Sequence, residues 1–365
     1  MRVLLVGQDD TLPGGMPVYI RSLRDYLTTR PSIDVRYLNE TAVKGRRDME
    51  RPSGPALFGE GMRLRRALRQ EIAEFAPHVV HLQVAHGLSV LEKAALARLC
   101  AVMGKPAVLH MHGAGLMEGL SRLPNPVRRW LSHSAPPPHR VVALSPSTGR
   151  ALSTAFPNWS VHVIPNAVEP PATAPPLPAA FTVGFLGFMD GRKGEQDLVR
   201  AIATCPAPIQ AVLAGDGPNL ESVRREAQRL GLTDRVRFLG RIGGEAKMRF
   251  FSDISALCLP SYAENYPIAL LEAMSYGRTV LASSVGGVPD LVTPQHNGWL
   301  FAPGDVQGLS SALAEAARSA ILVANFGAQS RATVDSGHVW SVVGPLVEQV
   351  YAGAVRDAES SKNAA

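Results

Sequence analysis

Cysteine is scarce: Cys100, Cys205 and Cys258 are the only three in 365 residues, widely spaced and without a Cys-x-x-Cys pair. That pattern indicates neither a disulfide framework nor a zinc site, and the three read as core thiols. Aromatics make up only 6%. No basic stretch is interleaved with them as a nucleic-acid platform would be, so no nucleic-acid partner is expected. No uncharged apolar run reaches the roughly 18 residues of a membrane span. The opening Met1-Arg2-Val3-Leu4-Leu5-Val6-Gly7 lacks the apolar region and cleavage site of a signal peptide. It reads as a short buried strand, and a cytoplasmic location is expected. No Gly-x-Gly-x-x-Gly follows a strand and no Gly-x-x-x-x-Gly-Lys-Ser/Thr occurs, which argues against a dinucleotide oxidoreductase and a P-loop enzyme. Asp-x-Asp is absent too, removing the usual sequence hint of a metal-held diphosphate.

What is present describes a globular protein, with 46% hydrophobic and 19% charged residues, and the length favours two domains. Short apolar strands alternate with longer amphipathic stretches, the pattern of parallel sheets covered by helices. The first series of strands is expected at 2–6, 35–38, 79–82, 107–111, 141–144 and 162–164. A second begins at 181–187 and continues at 210–214, 236–239, 256–259, 279–282 and 298–301. Between them Pro170-Pro171 to Pro175-Pro176-Leu177-Pro178 is too proline-rich for a helix or central strand. The expected division is a first Rossmann-like domain at 1–170, a linker at 171–180 and a second Rossmann-like domain at 181–337. A helix at 338–356 and a polar, disordered tail at 357–365 follow.

The net charge of +6 is uneven: residues 1–170 carry 21 Lys+Arg against 13 Asp+Glu, and the remainder 16 against 18. Lys44-Gly45-Arg46-Arg47, the group Arg63, Arg65, Arg66 and Arg69, and Arg128-Arg129 would suit an anionic membrane surface or a lipid-diphosphate acceptor. Solvated helix faces explain them equally, because Leu64, Ala67, Leu68 and Ile72 already make a basic amphipathic helix.

The run Glu264-Asn265-Tyr266-Pro267-Ile268-Ala269-Leu270-Leu271-Glu272 places two carboxylates across a loop-to-helix junction. Pro267 predicts the first helical residue, and Gly277 the cap after a helix ending near Tyr276. Amides near Tyr266, Ile268 and Ala269 would then face an anion such as a phosphate. Carboxylates beside a phosphate better accept hydrogen bonds from sugar and ribose hydroxyls, which describes a nucleotide sugar. An ordinary amphipathic helix with Glu272 solvated is the competing reading. Lys193, in Phe188-Met189-Asp190-Gly191-Arg192-Lys193-Gly194, fits a phosphate clamp: a cation there stabilises a leaving diphosphate more than the substrate. Asp216, in Gly215-Asp216-Gly217-Pro218, is expected to cap the next helix. Gly14-Gly15 allows close backbone approach to a ligand or forms a plain turn. His81, His86 and His110 read as satisfied structural histidines.

Taken with Pro260-Ser261-Tyr262, Gly286-Gly287-Val288-Pro289-Asp290 and Asn297-Gly298-Trp299-Leu300, the Glu264–Glu272 run resembles the donor half of family 4 retaining glycosyltransferases. The resemblance covers nearly the whole chain. It implies the α/β GT-B fold, two Rossmann-like domains with a cleft between them, binding a UDP- or GDP-sugar and a glycan or lipid-linked acceptor. It places Gly14 and Gly15 against the donor diphosphate and makes His112, in His112-Gly113, a contact of the transferred sugar. Catalytic roles fall to His112, Glu264 and Lys193. Donor contacts are implied for Arg192, Lys193, Gly215, Arg241, Ile242, Glu264, Asn265, Tyr266, Pro267, Ile268 and Glu272, with Glu264 at the sugar, Glu272 at the ribose and Arg241-Ile242 at the base. A surface role for Arg192 and a plain loop at Arg241-Ile242 are the alternatives; Asn166, in Ile164-Pro165-Asn166-Ala167, likewise resembles an interdomain family motif and is read as a turn residue. The family usually has arginine where this chain has Phe188, leaving Arg192 to supply the guanidinium or the clamp weaker. No cofactor and no metal are implied. A nucleotide-sugar epimerase of the same fold and a non-catalytic binding subunit are the other functional readings; donor turnover with and without acceptor separates the three.

Overall fold

The computed structural model describes residues 1–9, 11–12, 14–45, 55–85, 89–133, 139–207 and 209–363. Arg46, Arg47 and His86 lie outside the described residues. The chain divides into two compact units, Met1–Pro165 with Val343–Ala365, and Asn166–Val342. Each contains a six-stranded sheet, parallel throughout. This is the α/β pair of Rossmann-like units expected from the alternating pattern.

The first unit begins with β1 (Arg2–Gly7), α1 (Gly15–Thr28), β2 (Asp34–Asn39), α2 (Glu40–Lys44), α3 (Pro55–Phe75), β3 (Val79–Val84) and α4 (Ser89–Val102). It continues through β4 (Ala107–Met111), α5 (Leu116–Ser121), α6 (Asn125–Ser132), β5 (Arg140–Ala143), α7 (Pro146–Ala155) and β6 (Val161–Val163). The sheet order is β2-β1-β3-β4-β5-β6. β3 and β4 are buried along their whole length, as strands covered on both faces must be. Tyr19, Ile20, Leu23 and Leu27 form the buried stripe of α1, recurring at helical spacing.

The second unit runs β7 (Thr182–Leu186), α8 (Glu195–Thr204), β8 (Gln210–Ala214), α9 (Leu220–Arg229), β9 (Val236–Gly240), α10 (Gly244–Asp253) and β10 (Ala256–Leu259). Then come α11 (Ile268–Ser275), β11 (Thr279–Ser283), α12 (Val288–Leu291), β12 (Gly298–Phe301), α13 (Val306–Arg318) and α14 (Ala320–Gly337). Its order is β12-β11-β10-β7-β8-β9. Pro267 precedes α11 as its N-cap instead of opening it, because its ψ of 119° is extended. The other end follows the expectation: Gly277 N–H donates to Met274 O at 2.9 Å and Arg278 N–H to Ala273 O at 3.1 Å, a paired closure of the last turn on glycine.

Arg278 is fully buried. Its Nε donates to Phe251 O at 2.7 Å, and its Nη2 to Pro176 O and Ser252 O, both at 3.2 Å. The proline-rich passage is thereby fastened to the second unit, and the division of the chain falls ahead of it, after Pro165. α15 (Trp340–Asn363) closes the described chain and belongs to the first unit from Val343 onward. It corrects the expectation of disorder over 357–363, residues 364–365 lying outside the described ones. Val343, Val347, Val350, Tyr351 and Ala354 are buried along one face, and the Asp357 carboxylate accepts from Arg140 Nη2, so packing carries the helix through a polar stretch that composition alone leaves unstructured. Among the described residues no helix is long and apolar enough to cross a membrane.

The order of the second sheet reverses at β7, between β10 and β8, and ligands of open α/β sheets bind beyond the carboxyl ends of strands at such a point. The loops there share backbone hydrogen bonds. Gly187 N donates to Ala214 O (3.1 Å), Met189 N to Asp216 O (2.7 Å) and Asn219 N to Met189 O (2.9 Å). Tyr262 N donates to Arg192 O (2.9 Å) and Gly287 N to Asn265 O (2.7 Å). At Gly194, with φ +70°, a Cβ would overlap the carbonyl oxygen of Pro260. Gly194→Ala should therefore destabilise the second unit by about 3 kcal/mol, combining left-handed strain with a displaced backbone; urea unfolding measures the loss, and a change under about 0.5 kcal/mol, the range of an ordinary surface substitution, contradicts the tight approach.

Candidate functional site

Lys193, on the β7–α8 loop, donates from Nζ to Glu264 Oε1 at 2.6 Å, and Ser261 Oγ donates to the same oxygen at 2.7 Å. Glu264 is buried. A carboxylate removed from water is tolerated only with such partners. The segment that carries it continues through Asn265, Tyr266 and Pro267 into Ile268, the first residue of α11. First-turn amides of a helix have no intrahelical acceptor, and Ile268 and Ala269 open the first turn of α11. One turn on, Glu272 accepts from Lys247 Nζ at 2.5 Å.

The structure thus brings Lys193 and Glu264 into contact and strings Asn265, Tyr266, Pro267 and Ile268 beside them. Gly215 follows β8 and donates its N–H to Gly240 O at 2.8 Å, where its Cα lies against the carbonyl of Gly187. Arg241 and Ile242 follow β9, the edge strand two positions from β7, about 10 Å away at ordinary strand spacing. Arg192 is half exposed and turned to its own loop, with Nε at 3.2 Å and Nη2 at 3.1 Å from Asp190 Oδ2. Asp216 is not the cap of α9, correcting that expectation. Asn219 holds the N-cap position without a side-chain hydrogen bond, because the Asp216 carbonyl is engaged by Met189 and the chain makes a further turn before the helix starts.

Two polar groups escaped the sequence reading, and a third was given another role. Glu195, the first residue of α8, is fully buried; its Oε1 accepts from Gly191 N at 2.7 Å and Asn219 Nδ2 at 2.8 Å. Its Oε2 has no partner among the described residues. Lys247 sits on α10, 25 residues before its partner, and no local spacing announces that pair. Asn166, given a turn role, instead donates from a buried position to Tyr266 O at 2.7 Å.

In the first unit, Gly14 is the N-cap of α1 and Gly15 its first residue, at the point where that sheet reverses between β2 and β3. His112 follows β4, and its Nε2 lies 2.6 Å from Gln83 Oε1. An amide oxygen only accepts, so Nε2 carries the proton and Nδ1 is left as an acceptor. The ring stacks on His110 with centroids 4.3 Å apart. His110 Nδ1 is 3.2 Å from His81 Nε2, and His81 Nδ1 is 2.6 Å from Tyr351 OH on α15. His81 is satisfied at both nitrogens as expected. His110 is not: its buried Nε2 has no partner among the described residues, since the seam of rings uses only its other nitrogen. Burial pushes the His81 pKa down to about 3, and burial followed by the charges of His112 and His81 holds His110 well below the usual range. Burial pushes His139, which accepts from the Ala107 amide, down to about 4.

Two family models match this chain: Glycosyl transferases group 1 over residues 178–333 and Glycosyltransferase Family 4 over residues 13–170. The chain belongs to these GT-B glycosyltransferases. Among curated relatives, lipopolysaccharide 1,6-galactosyltransferase of Escherichia coli (strain K12) is 31% identical over 163 residues, 42% of this chain and 45% of that one. This chain spans under half the length of the curated relatives first matched. Among solved structures, sucrose-phosphate synthase from Thermosynechococcus elongatus superposes with a TM-score of 0.82 at 21% identity, covering 96% of this chain and 98% of that one. Anabaena HepE, solved in complex with UDP-glucose, does so at 0.73 and 19%, covering 96% and 100%. At these identities both show the fold.

The neutral histidines give stability a direction with pH. Their folded pKa values lie below the roughly 6.5 of an unfolded histidine, so unfolding takes up protons between those values and stability falls as pH drops below about 6.5. Each histidine contributes up to about 1.4 kcal/mol per pH unit in that window. Thermal melts at pH 7.5, 6 and 5 should show a falling Tm; a flat profile contradicts burial of the neutral rings.

Proposed function

We propose that the protein is a retaining glycosyltransferase, moving a sugar from a UDP- or GDP-sugar to a glycan or lipid-linked acceptor in the assembly of bacterial surface polysaccharide or glycolipid. The observation that carries this is the Lys193–Glu264 contact beside the first turn of α11, where the second sheet reverses. A cation, a carboxylate and the first-turn amides of a helix together match a diphosphate joined to a hydroxyl-rich sugar. The UDP-glucose complex of HepE supports a donor of this class, and the galactosyltransferase relative supports a hexose and a surface glycan.

In this reading Lys193 and the amides of Ile268 and Ala269 take the diphosphate, Glu264 the sugar hydroxyls and Glu272 the ribose. His112 offers its Nδ1 to a sugar hydroxyl, and Gly14 and Gly15 let the backbone approach the donor. Transfer breaks the bond from the anomeric carbon to phosphate and forms the bond to the acceptor oxygen on the same face. The acceptor's proton passes to the departing phosphate. Lys193 then stabilises charge that grows as the bond breaks, which is where a fixed cation lowers the barrier. A peripheral contact with an anionic membrane is supported by one face of α3, where Phe58 and Met62 are exposed together with Arg65, Arg66 and Arg69; such a face combines apolar insertion with charge attraction.

Turnover of UDP- and GDP-sugars with and without lipid-linked acceptors, followed by mass spectrometry, tests the reading: acceptor-dependent glycoside carries it, isomerised donor or binding alone overturns it. Glu272→Ala should weaken binding of the bare nucleoside diphosphate about tenfold, whereas Glu264→Ala should lower kcat about 100-fold with little change in that affinity. Equal losses of affinity in the two variants, measured by calorimetry, contradict the assignment. Transfer should also survive exhaustive EDTA. Asp-x-Asp is absent, and among the described residues no group of three or more His, Cys, Asp and Glu is placed to hold a metal; restoration by a divalent ion after chelation would show that Lys193 and the helix amides do not suffice.

A further inference from the structure

Tyr266 is held at both ends. Its hydroxyl lies 2.7 Å from His338 Nε2, and its backbone carbonyl accepts from Asn166 Nδ2 at 2.7 Å. Asn166 and Tyr266 are buried, and the rings of Tyr266 and His338 are nearly parallel, at 13° with centroids 5.7 Å apart. His338 is itself fixed three times over. Its N–H donates to Val334 O at 2.8 Å, its carbonyl accepts from Val168 N at 2.8 Å, and its Nδ1 lies 3.1 Å from Thr333 O. A carbonyl only accepts, so Nδ1 carries the proton and Nε2 is free to accept the tyrosine O–H. The polarity of the chain Tyr266 O–H to His338 to Thr333 is thereby set by the backbone.

Tyr266 stands two residues after Glu264 and two before Ile268. The intervening Pro267 has a fixed φ, so a displacement of Tyr266 passes to both the carboxylate and the first turn of α11. The neighbouring Asn265 carbonyl is already taken by Gly287 N. We infer that His338 and Asn166 are positioning residues for the donor site, fixing the Glu264–Ile268 segment through the hydroxyl and carbonyl of Tyr266. The assignment rests on the proposed nucleotide-sugar reading of that segment. Neither residue is required to touch the donor: they act through Tyr266, at sequence distances of 72 and 100 residues.

Hydrogen–deuterium exchange and calorimetry with UDP and GDP, on the full chain, test it. His338→Ala should accelerate exchange in residues 262–275, leave 210–214 on β8 unchanged, and weaken nucleotide affinity about tenfold. His338→Gln should restore both, because its amide can donate to Thr333 O and accept from Tyr266 OH. Should His338→Ala fail to fold, Tyr266→Phe removes only the hydroxyl and is expected to give the same two effects. Unchanged exchange and affinity in His338→Ala or Tyr266→Phe, or a glutamine variant as impaired as alanine, overturns the inference. Wild-type protein that binds neither UDP nor GDP overturns the nucleotide-sugar reading instead, and the exchange result still decides the anchor.

Discussion

The loops beyond β7, β8 and β10 have little regular structure of their own, and they hold together by using one another's backbone. Met189 donates to Asp216 and receives from Asn219, while Arg192 receives from Tyr262. Lys193 and Glu264, 71 residues apart in sequence, meet at 2.6 Å because of this lacing. An ion pair between two mobile loops contributes little, since most of its attraction is offset by ordering the side chains. Here the backbone is already ordered, and the pair is left with the smaller task of choosing rotamers. Glu195 extends the same logic: its carboxylate takes the amide of Gly191 and the side chain of Asn219, closing the loop that carries Lys193 from beneath.

The two units differ in the polar groups they carry on and after their strands. In the second unit the groups are charged and paired in opposite sign, Lys193 with Glu264 and Lys247 with Glu272. In the first, beside the buried Lys93–Glu40 pair that follows β2, strands β3 and β4 and the residue after β4 carry neutral rings and an amide, His81, His110, His112 and Gln83, joined by hydrogen bonds and stacking. Neutral rings escape most of the desolvation penalty that ions incur, and His81 and His110 are almost wholly shielded. The Lys193 and Lys247 side chains of the second unit remain closer to solvent, with about a fifth of Lys193 accessible, where an incoming anion can compete for them.

Local signals were legible from the sequence and distant ones were not. Alternation located both sheets, because parallel strands covered on each face leave continuous apolar runs. Pro267 and Gly277 bracketed α11 to within a residue, since proline and glycine act on the backbone they occupy. The pairing of Glu272 with Lys247 left no such trace, and the task of Asn166 lay 100 residues away at Tyr266. Asp216 looked like a cap by type and position, but its loop was committed to Met189. The polar stretch from Asp357 looked unstructured for want of apolar residues, whereas Arg140 and the buried face of the preceding turns carry the helix through it.

α15 gives the chain an order of assembly. Tyr26 donates to Glu348 Oε1 at 2.6 Å, His81 meets Tyr351 and Arg140 meets Asp357, so three parts of the first unit close against α15. A ribosome delivers those residues after the whole second unit has emerged. Domains made during synthesis ordinarily fold from the amino end as they appear. In this protein the first unit to be translated is the last to be completed, and until then its histidine seam lacks the tyrosine at one end and the face that α15 covers stays open to chaperones.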